Sequence, residues 1–213
     1  MDEQLSRREY RNRITVPGLA AGFARQVVEY GVRKTRHAIE RWQMHRVRRS
    51  PLALMNALRA GKHILVVCHG NIIRSPFAAN LLAQALGEKA PVSIASAGLE
   101  AMPGRPPHPT ALATAAARRV DLSSHAASRL ELALVAKSDV IFVMEIPQLL
   151  ALRRRFPEAR AKTFLLSCLA PDTPLEIRDP VDGNESVFEA CFDHITRAVH
   201  PVIGVLSHSP QHP

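Results

Sequence analysis

The apolar positions of this chain change their rhythm several times. Four short runs are almost continuously apolar: "HILVVC" (63–68), "VSIASAG" (92–98), "DVIFVM" (139–144) and "KTFLLS" (162–167). Runs of this length, bounded by Gly, Pro and polar residues, predict strands buried on both faces. Between them the rhythm lengthens to helical spacing in "SPFAANLLAQALG", "HPTALATAAARR" and "IPQLLALRRRF". A last stretch, "SVFEACFDHITRAVHPVIGVL", puts Phe188, Cys191, Phe192, Ile195 and Val199 on one helical face. Pro201 is expected to kink or end it. Strands alternating with helices predict an α/β fold: a four-stranded parallel sheet, doubly wound, with helices on both faces. Ligands of such sheets bind beyond the C-terminal ends of the strands, where the first run ends in Cys68.

The first 62 residues follow another pattern. Leu19, Phe23, Val27 and Tyr30 keep helical spacing, and Ile39, Trp42 and Val47 continue it between arginines. "SPLALMNALRAG" predicts a separate short helix with Ser50 as N-cap, Pro51 in the first turn and Gly61 as stop. Charge marks the same division. Residues 1–62 hold 14 Lys and Arg against 5 acids, whereas residues 63–213 hold 14 of each. The whole excess of +9 therefore lies in the first segment. The expected organisation is a basic, mainly helical extension (1–62), a neutral domain (63–206) and a flexible tail (207–213).

Composition narrows the setting. No apolar run approaches the roughly 18 residues of a membrane-spanning helix. The three cysteines, Cys68, Cys168 and Cys191, are widely spaced and form no CxxC pair. That excludes a disulfide scaffold or zinc knuckle and suits a reducing compartment, so a cytoplasmic location is expected. His63 and His69 flank Cys68 in sequence, but strand alternation sends residues 63 and 68 to opposite faces, so no metal site is expected. An arginine-rich amphipathic segment makes an anionic membrane surface a candidate partner of residues 1–62, in a membrane-peripheral arrangement. Nucleic acid is the weaker candidate, because no recognition motif accompanies the charge. Nothing in the sequence sets the oligomeric state.

The candidate chemistry lies in "VCHGNIIRSPFA". Gly70 and Asn71 enter unusual backbone conformations at low cost and can turn successive N–H groups inward as an anion nest. A helix starting at Ser75 adds free N–H groups and the positive end of its dipole. Arg74 adds a planar guanidinium suited to two-pronged contact with phosphate oxygens. This field favours a thiolate at Cys68. An anion cradle with a sulfur nucleophile at its base suits attack on phosphorus.

These residues resemble the low-molecular-weight protein tyrosine phosphatases, whose signature is a Cys, five residues, then Arg-Ser-Pro. "SIASAGLEAMPGRPPHPTA", "VDLSSHAASRL", "SDVIFVM" and "IRDPVDG" continue the resemblance through about residue 206. It implies Cys68 as nucleophile, Arg74 as phosphate clamp and Asp179 as general acid and then base. His69, Gly70, Asn71, Ile72, Ile73 and Ser75 complete the phosphate-binding loop, with Ser75 bonding the sulfur. Ser96 and His125, with Asn71, would support the loop. It further implies a phosphotyrosine protein substrate and no metal or other cofactor.

The sequence departs from the family in three places. Ile73 stands where many members carry a second cysteine for a reversible disulfide. Val181 and Met102 stand where aromatic residues usually flank the substrate ring. Ile72 matches the tyrosine phosphatases, whereas members acting on phosphoarginine carry Thr there. Two other readings stay open: an arsenate reductase of the same fold, which needs resolving cysteines near the third strand, and an inactive anion-binding module.

Overall fold

The computed structural model describes residues 17–87 and 91–208, with side chains from residue 25 onward. The first 16 residues of the basic extension, the side chains of Leu19 and Phe23, and residues 209–213 of the tail lie outside the described residues. The chain divides into two compact units, 1–39 and 40–213.

What is described of the first unit is helical. It belongs to α1 (Pro17–Arg49), a 33-residue helix whose last ten residues are part of the second unit. In that unit follow α2 (Leu52–Ala60), β1 (His63–Cys68), α3 (Arg74–Leu86), β2 (Ser93–Gly98), α4 (Pro109–Ala117) and α5 (Leu132–Lys137). Then come β3 (Val140–Val143), α6 (Ile146–Arg155), β4 (Thr163–Leu165) and α7 (Glu185–Ser207). Short 3-10 turns at Pro157–Lys162 and Leu166–Leu169 bracket β4.

The four strands form one parallel sheet in the order β2-β1-β3-β4, the doubly wound arrangement expected from the apolar runs. The chain runs outward from β1 to β2, then crosses back over β1 to β3. The order therefore reverses between β1 and β3, and a crevice opens at their C-terminal ends. Cys68, Glu145 and Asp179 all follow strand ends on this side of the sheet.

The apolar runs do form the core. Leu65, Val66, Val67 and all of β3 are fully buried. Phe77 of α3 stacks on Phe192 of α7 with ring centroids 4.0 Å apart, and each is fully buried. Burying a side chain of this kind stabilises by about 1.5–3 kcal/mol.

Pro201 does not end α7. The helix passes through it to Ser207, because Val202 and Leu206 continue the buried face beyond the missing N–H. Ser50 is also placed differently from its expected cap role. Its N–H donates to Arg46 O at 3.0 Å and closes α1, while Pro51 takes the N-cap position of α2 without a side-chain cap bond.

Residues 40–62 pack within the second unit. Met44 is buried, and Glu40 pairs with Arg153 at 2.5 Å, both largely out of water. Arg48 donates to the carbonyls of Ser167 (2.8 Å), Thr173 (2.8 Å) and Pro174 (3.3 Å), tying down the loop after β4.

Candidate active site

β1 ends at the buried Cys68, and the chain turns through residues 69–73 into α3. Two backbone bonds anchor the start of this loop: Leu99 N–H donates to Cys68 O and Glu100 N–H to His69 O, both at 3.0 Å. They extend the β1–β2 ladder past Gly98. A Cβ on Gly98 would lie 2.7 Å from His69 O and 2.9 Å from Asn71 N, so only glycine lets the loop rest there.

Asn71 turns the loop. Its φ of 54° is left-handed, a conformation Asn tolerates better than most residues. Its N–H points at Cys68 Sγ, 3.2 Å away. Its fully buried side chain donates to Ser75 Oγ (2.8 Å) and Ser96 Oγ (2.9 Å) and accepts from Ser128 N–H (2.8 Å). His125 Nε2 sits 2.8 Å from Asn71 O. One residue thus joins the loop, α3, β2 and the segment before α5. Ser75 Oγ lies 3.0 Å from Cys68 Sγ, beside the Asn71 amide.

Most of the loop's remaining donors lack protein partners. Among the described residues the N–H groups of Ile72, Ile73, Arg74 and Ser75 have no acceptor, and Arg74 Nε is buried with none. Pro76 has no N–H to satisfy, which suits the first turn of α3. Buried donors left without partners are costly, and an anion seated on this loop would satisfy them.

Arg74 is almost completely buried. Its Nη1 donates to Glu145 Oε2 (2.6 Å) and Ile177 O (3.0 Å), and its Nη2 bonds Asp179 Oδ2 closely. Burial lowers the guanidinium's pKa, but Cys68, Asp179 and Glu145 outweigh it and carry the net value above the ordinary one. Asp179 is held from two sides: Ile177 N–H donates to Met144 O at 2.9 Å, and Val181 N–H donates to Asp179 Oδ1 at 3.3 Å. Burial pushes the other thiols up, Cys168 to about 11 and Cys191 to about 12, so both stay protonated at neutral pH.

The structure therefore gathers Cys68, Asn71, Arg74, Ser75, Ser96, His125 and Asp179 around one cradle. Ile72 and Ile73 turn inward and are buried, Gly70 is half-buried and His69 is exposed. Met102 and Val181 are exposed apolar residues. Sequence reasoning missed Glu145, Ser128 and Ile177. Glu145 is a single acid after a strand, and only the fold brings it to Arg74.

Comparison with known proteins agrees with this geometry. Residues 63–210 match the family model described as "Low molecular weight phosphotyrosine protein phosphatase". A Ralstonia nicotianae protein named "Probable low molecular weight protein-tyrosine-phosphatase EpsP" is 39% identical over 138 residues, covering 65% of this chain and 91% of that one. The crystal structure of the tyrosine phosphatase AmsI from Erwinia amylovora superposes with a TM-score of 0.65 at 37% identity, covering 70% of this chain and 95% of that one. The YwlE arginine phosphatase from Geobacillus stearothermophilus superposes with a TM-score of 0.63 at 28% identity, covering 71% and 99%.

Proposed function

Since the chain belongs to the low molecular weight phosphotyrosine protein phosphatase family, we propose that it hydrolyses phosphotyrosine in proteins through a phosphoryl group carried on Cys68. As a member it is a phosphoric monoester hydrolase. The observation that carries the reading is the placement of one sulfur, one guanidinium and one carboxylate around a ring of unpartnered N–H groups.

The phosphate dianion enters the cradle, where the N–H groups of residues 72–75 and Arg74 take its three non-bridging oxygens. Those oxygens replace Asp179 at Arg74 Nη2, and the freed carboxylate takes up a proton from solvent and turns to the leaving oxygen. Cys68 Sγ attacks phosphorus as the bond to the tyrosyl oxygen breaks, and Asp179 delivers its proton to that oxygen. Asp179 then takes a proton from water as the water oxygen attacks phosphorus and the S–P bond breaks. Ser75 Oγ, 3.0 Å from the sulfur, stabilises the departing thiolate. Glu145 and Ile177 O hold Nη1 throughout, so the guanidinium keeps its plane while Nη2 and Nε turn to substrate. Such transfer depends mainly on positioning and charge, which the preformed loop supplies.

Ile72 favours tyrosine over phosphoarginine, on the family pattern. A thiol relay of the arsenate reductase kind is disfavoured, because Cys168 and Cys191 are buried and protonated. Turnover of p-nitrophenyl phosphate by the wild type, with loss to background in Cys68→Ala, tests the hydrolase. Faster release of phosphate from phosphotyrosine peptides than from phosphoarginine peptides supports the substrate class, and the reverse order refutes it. Arsenate reduction in place of ester hydrolysis refutes the reading altogether.

A further inference from the structure

The family match begins at residue 63 and leaves α1 without a role in the chemistry above. This helix carries an apolar stripe in water. Val28, Val32, Ile39 and Trp42 recur at intervals of four, seven and three residues, with Thr35 completing the series. At about 100° per residue they fall on one side of the helix. All four are exposed: Val28 64%, Val32 47%, Ile39 49% and Trp42 57%. Single exposed apolar residues are ordinary, but an aligned series ending in a tryptophan is not.

Both margins of the stripe carry arginine: Arg25 and Arg36 border it on one side and the exposed Arg49 on the other, whereas Lys34 and Arg41 lie farther round the helix, and Arg46 closes it with its guanidinium 5.0 Å from the Trp42 ring centroid. Neither Lys34 nor Arg36 has an acidic partner among the described residues. Arg25 pairs with Glu29 in full exposure, and Arg41 with Glu176.

A second copy of the helix is a poor occupant. Written as heptads, the seam holds Arg25 and Arg46 at core positions, and of the flanking positions Glu29, Gly31, Arg36, Ala38, Gln43 and His45 only Glu29 and Arg36 are of opposite charge. A parallel pair would set Arg25 against Arg25 and Arg46 against Arg46 inside the seam. An anionic surface suits the same features: the apolar face sinks to the acyl boundary, Trp42 sits at the headgroup level, and the basic margins reach the headgroups.

We propose that α1 is an interfacial helix that docks the protein on anionic lipid headgroups through the Val28–Trp42 stripe. Trp42 is the single tryptophan of the chain, so the full-length protein reports its own docking. The experiment titrates it with phosphatidylcholine vesicles, with and without about 30 mol% phosphatidylglycerol, following Trp42 emission and its quenching by brominated acyl chains. Expected is a blue shift with quenching on anionic vesicles, at least about tenfold weaker binding without anionic lipid, and loss of binding in high salt.

A Val32→Asp, Ile39→Asp variant should lose the shift while hydrolysing p-nitrophenyl phosphate as the wild type does. Unmoved emission on anionic vesicles overturns the proposal, and so does equal binding of the double variant. A shift given by RNA but not by vesicles assigns the face to nucleic acid and overturns it. A dimer in sedimentation that the double variant dissolves assigns the face to a second copy, with the same consequence.

Discussion

Replacing Asn71 with alanine tests how the loop is held. The substitution deletes three side-chain hydrogen bonds, to Ser75, Ser96 and Ser128, from a fully buried site. At about 0.5–1.5 kcal/mol each these amount to roughly 1.5–4.5 kcal/mol. The left-handed φ of 54° adds about 1 kcal/mol against alanine, so a loss of about 3–5 kcal/mol is expected. For a chain of this size that lowers the melting temperature by roughly 6–20 °C. Asn71→Gly loses the same bonds without the steric penalty and should be the more stable of the two by up to about 1 kcal/mol. Because Asn71 also fixes Ser75 and aims its N–H at the sulfur, kcat should fall about a hundredfold in both variants. Thermal melts and p-nitrophenyl phosphate kinetics below the melting range measure both effects. Stability within about 1 kcal/mol of wild type, with kcat within a few-fold, would refute the claim that this side chain organises the cradle.

Three further outcomes follow from other contacts. Gly98→Ala would press a Cβ onto His69 O and Asn71 N, at 2.7 and 2.9 Å, so it should displace the loop and cost about 1–3 kcal/mol, with activity lost in parallel; an active enzyme of wild-type stability contradicts the packing. Glu40→Ala strands Arg153, whose pKa burial already lowers, and should cost about 3–5 kcal/mol in denaturant unfolding; no loss would mean that α1 does not pack through residue 40. Asp139 accepts N–H bonds from Lys62 and His63, chiefly the former, which hold its carboxyl below the ordinary range. A lowered native value stabilises above the unfolded value of about 4 and is lost as pH falls through the native one. The wild type should therefore out-melt Asp139→Asn at neutral pH, with the gap closing under acid; a gap that widens on acidification contradicts this.

Much of the fold is legible in the sequence, because β1, β3 and β4 are buried on both faces and read as apolar runs, whereas the edge strand β2 is buried only at its C-terminal end. The cradle is legible for a related reason: Gly70, Asn71, Arg74 and Ser75 are consecutive enough for backbone geometry to dictate their roles. What escaped depends on tertiary contact. Glu145 has no periodicity to mark it, and its importance arises only when the crossover from β1 to β3 sets it against Arg74. α5 is a six-residue helix, too short for a helical rhythm to emerge. In α1 the interleaved arginines hide two different faces. Glu40 and Met44 enter the core while Trp42 between them stays in water, and composition alone groups all three with the basic extension. Pro201 misleads because propensity is local, whereas Val202 and Leu206 are buried by the whole fold.

The most direct measurement is the capture of the covalent intermediate. Without Asp179 the second step lacks its base, so Asp179→Ala mixed with p-nitrophenyl phosphate and quenched in acid should accumulate a phosphoryl group. Peptide mass mapping should place that group on Cys68, and Cys68→Ala should carry none. A phosphoryl group on another residue, or ester hydrolysis that survives in Cys68→Ala, would contradict the account.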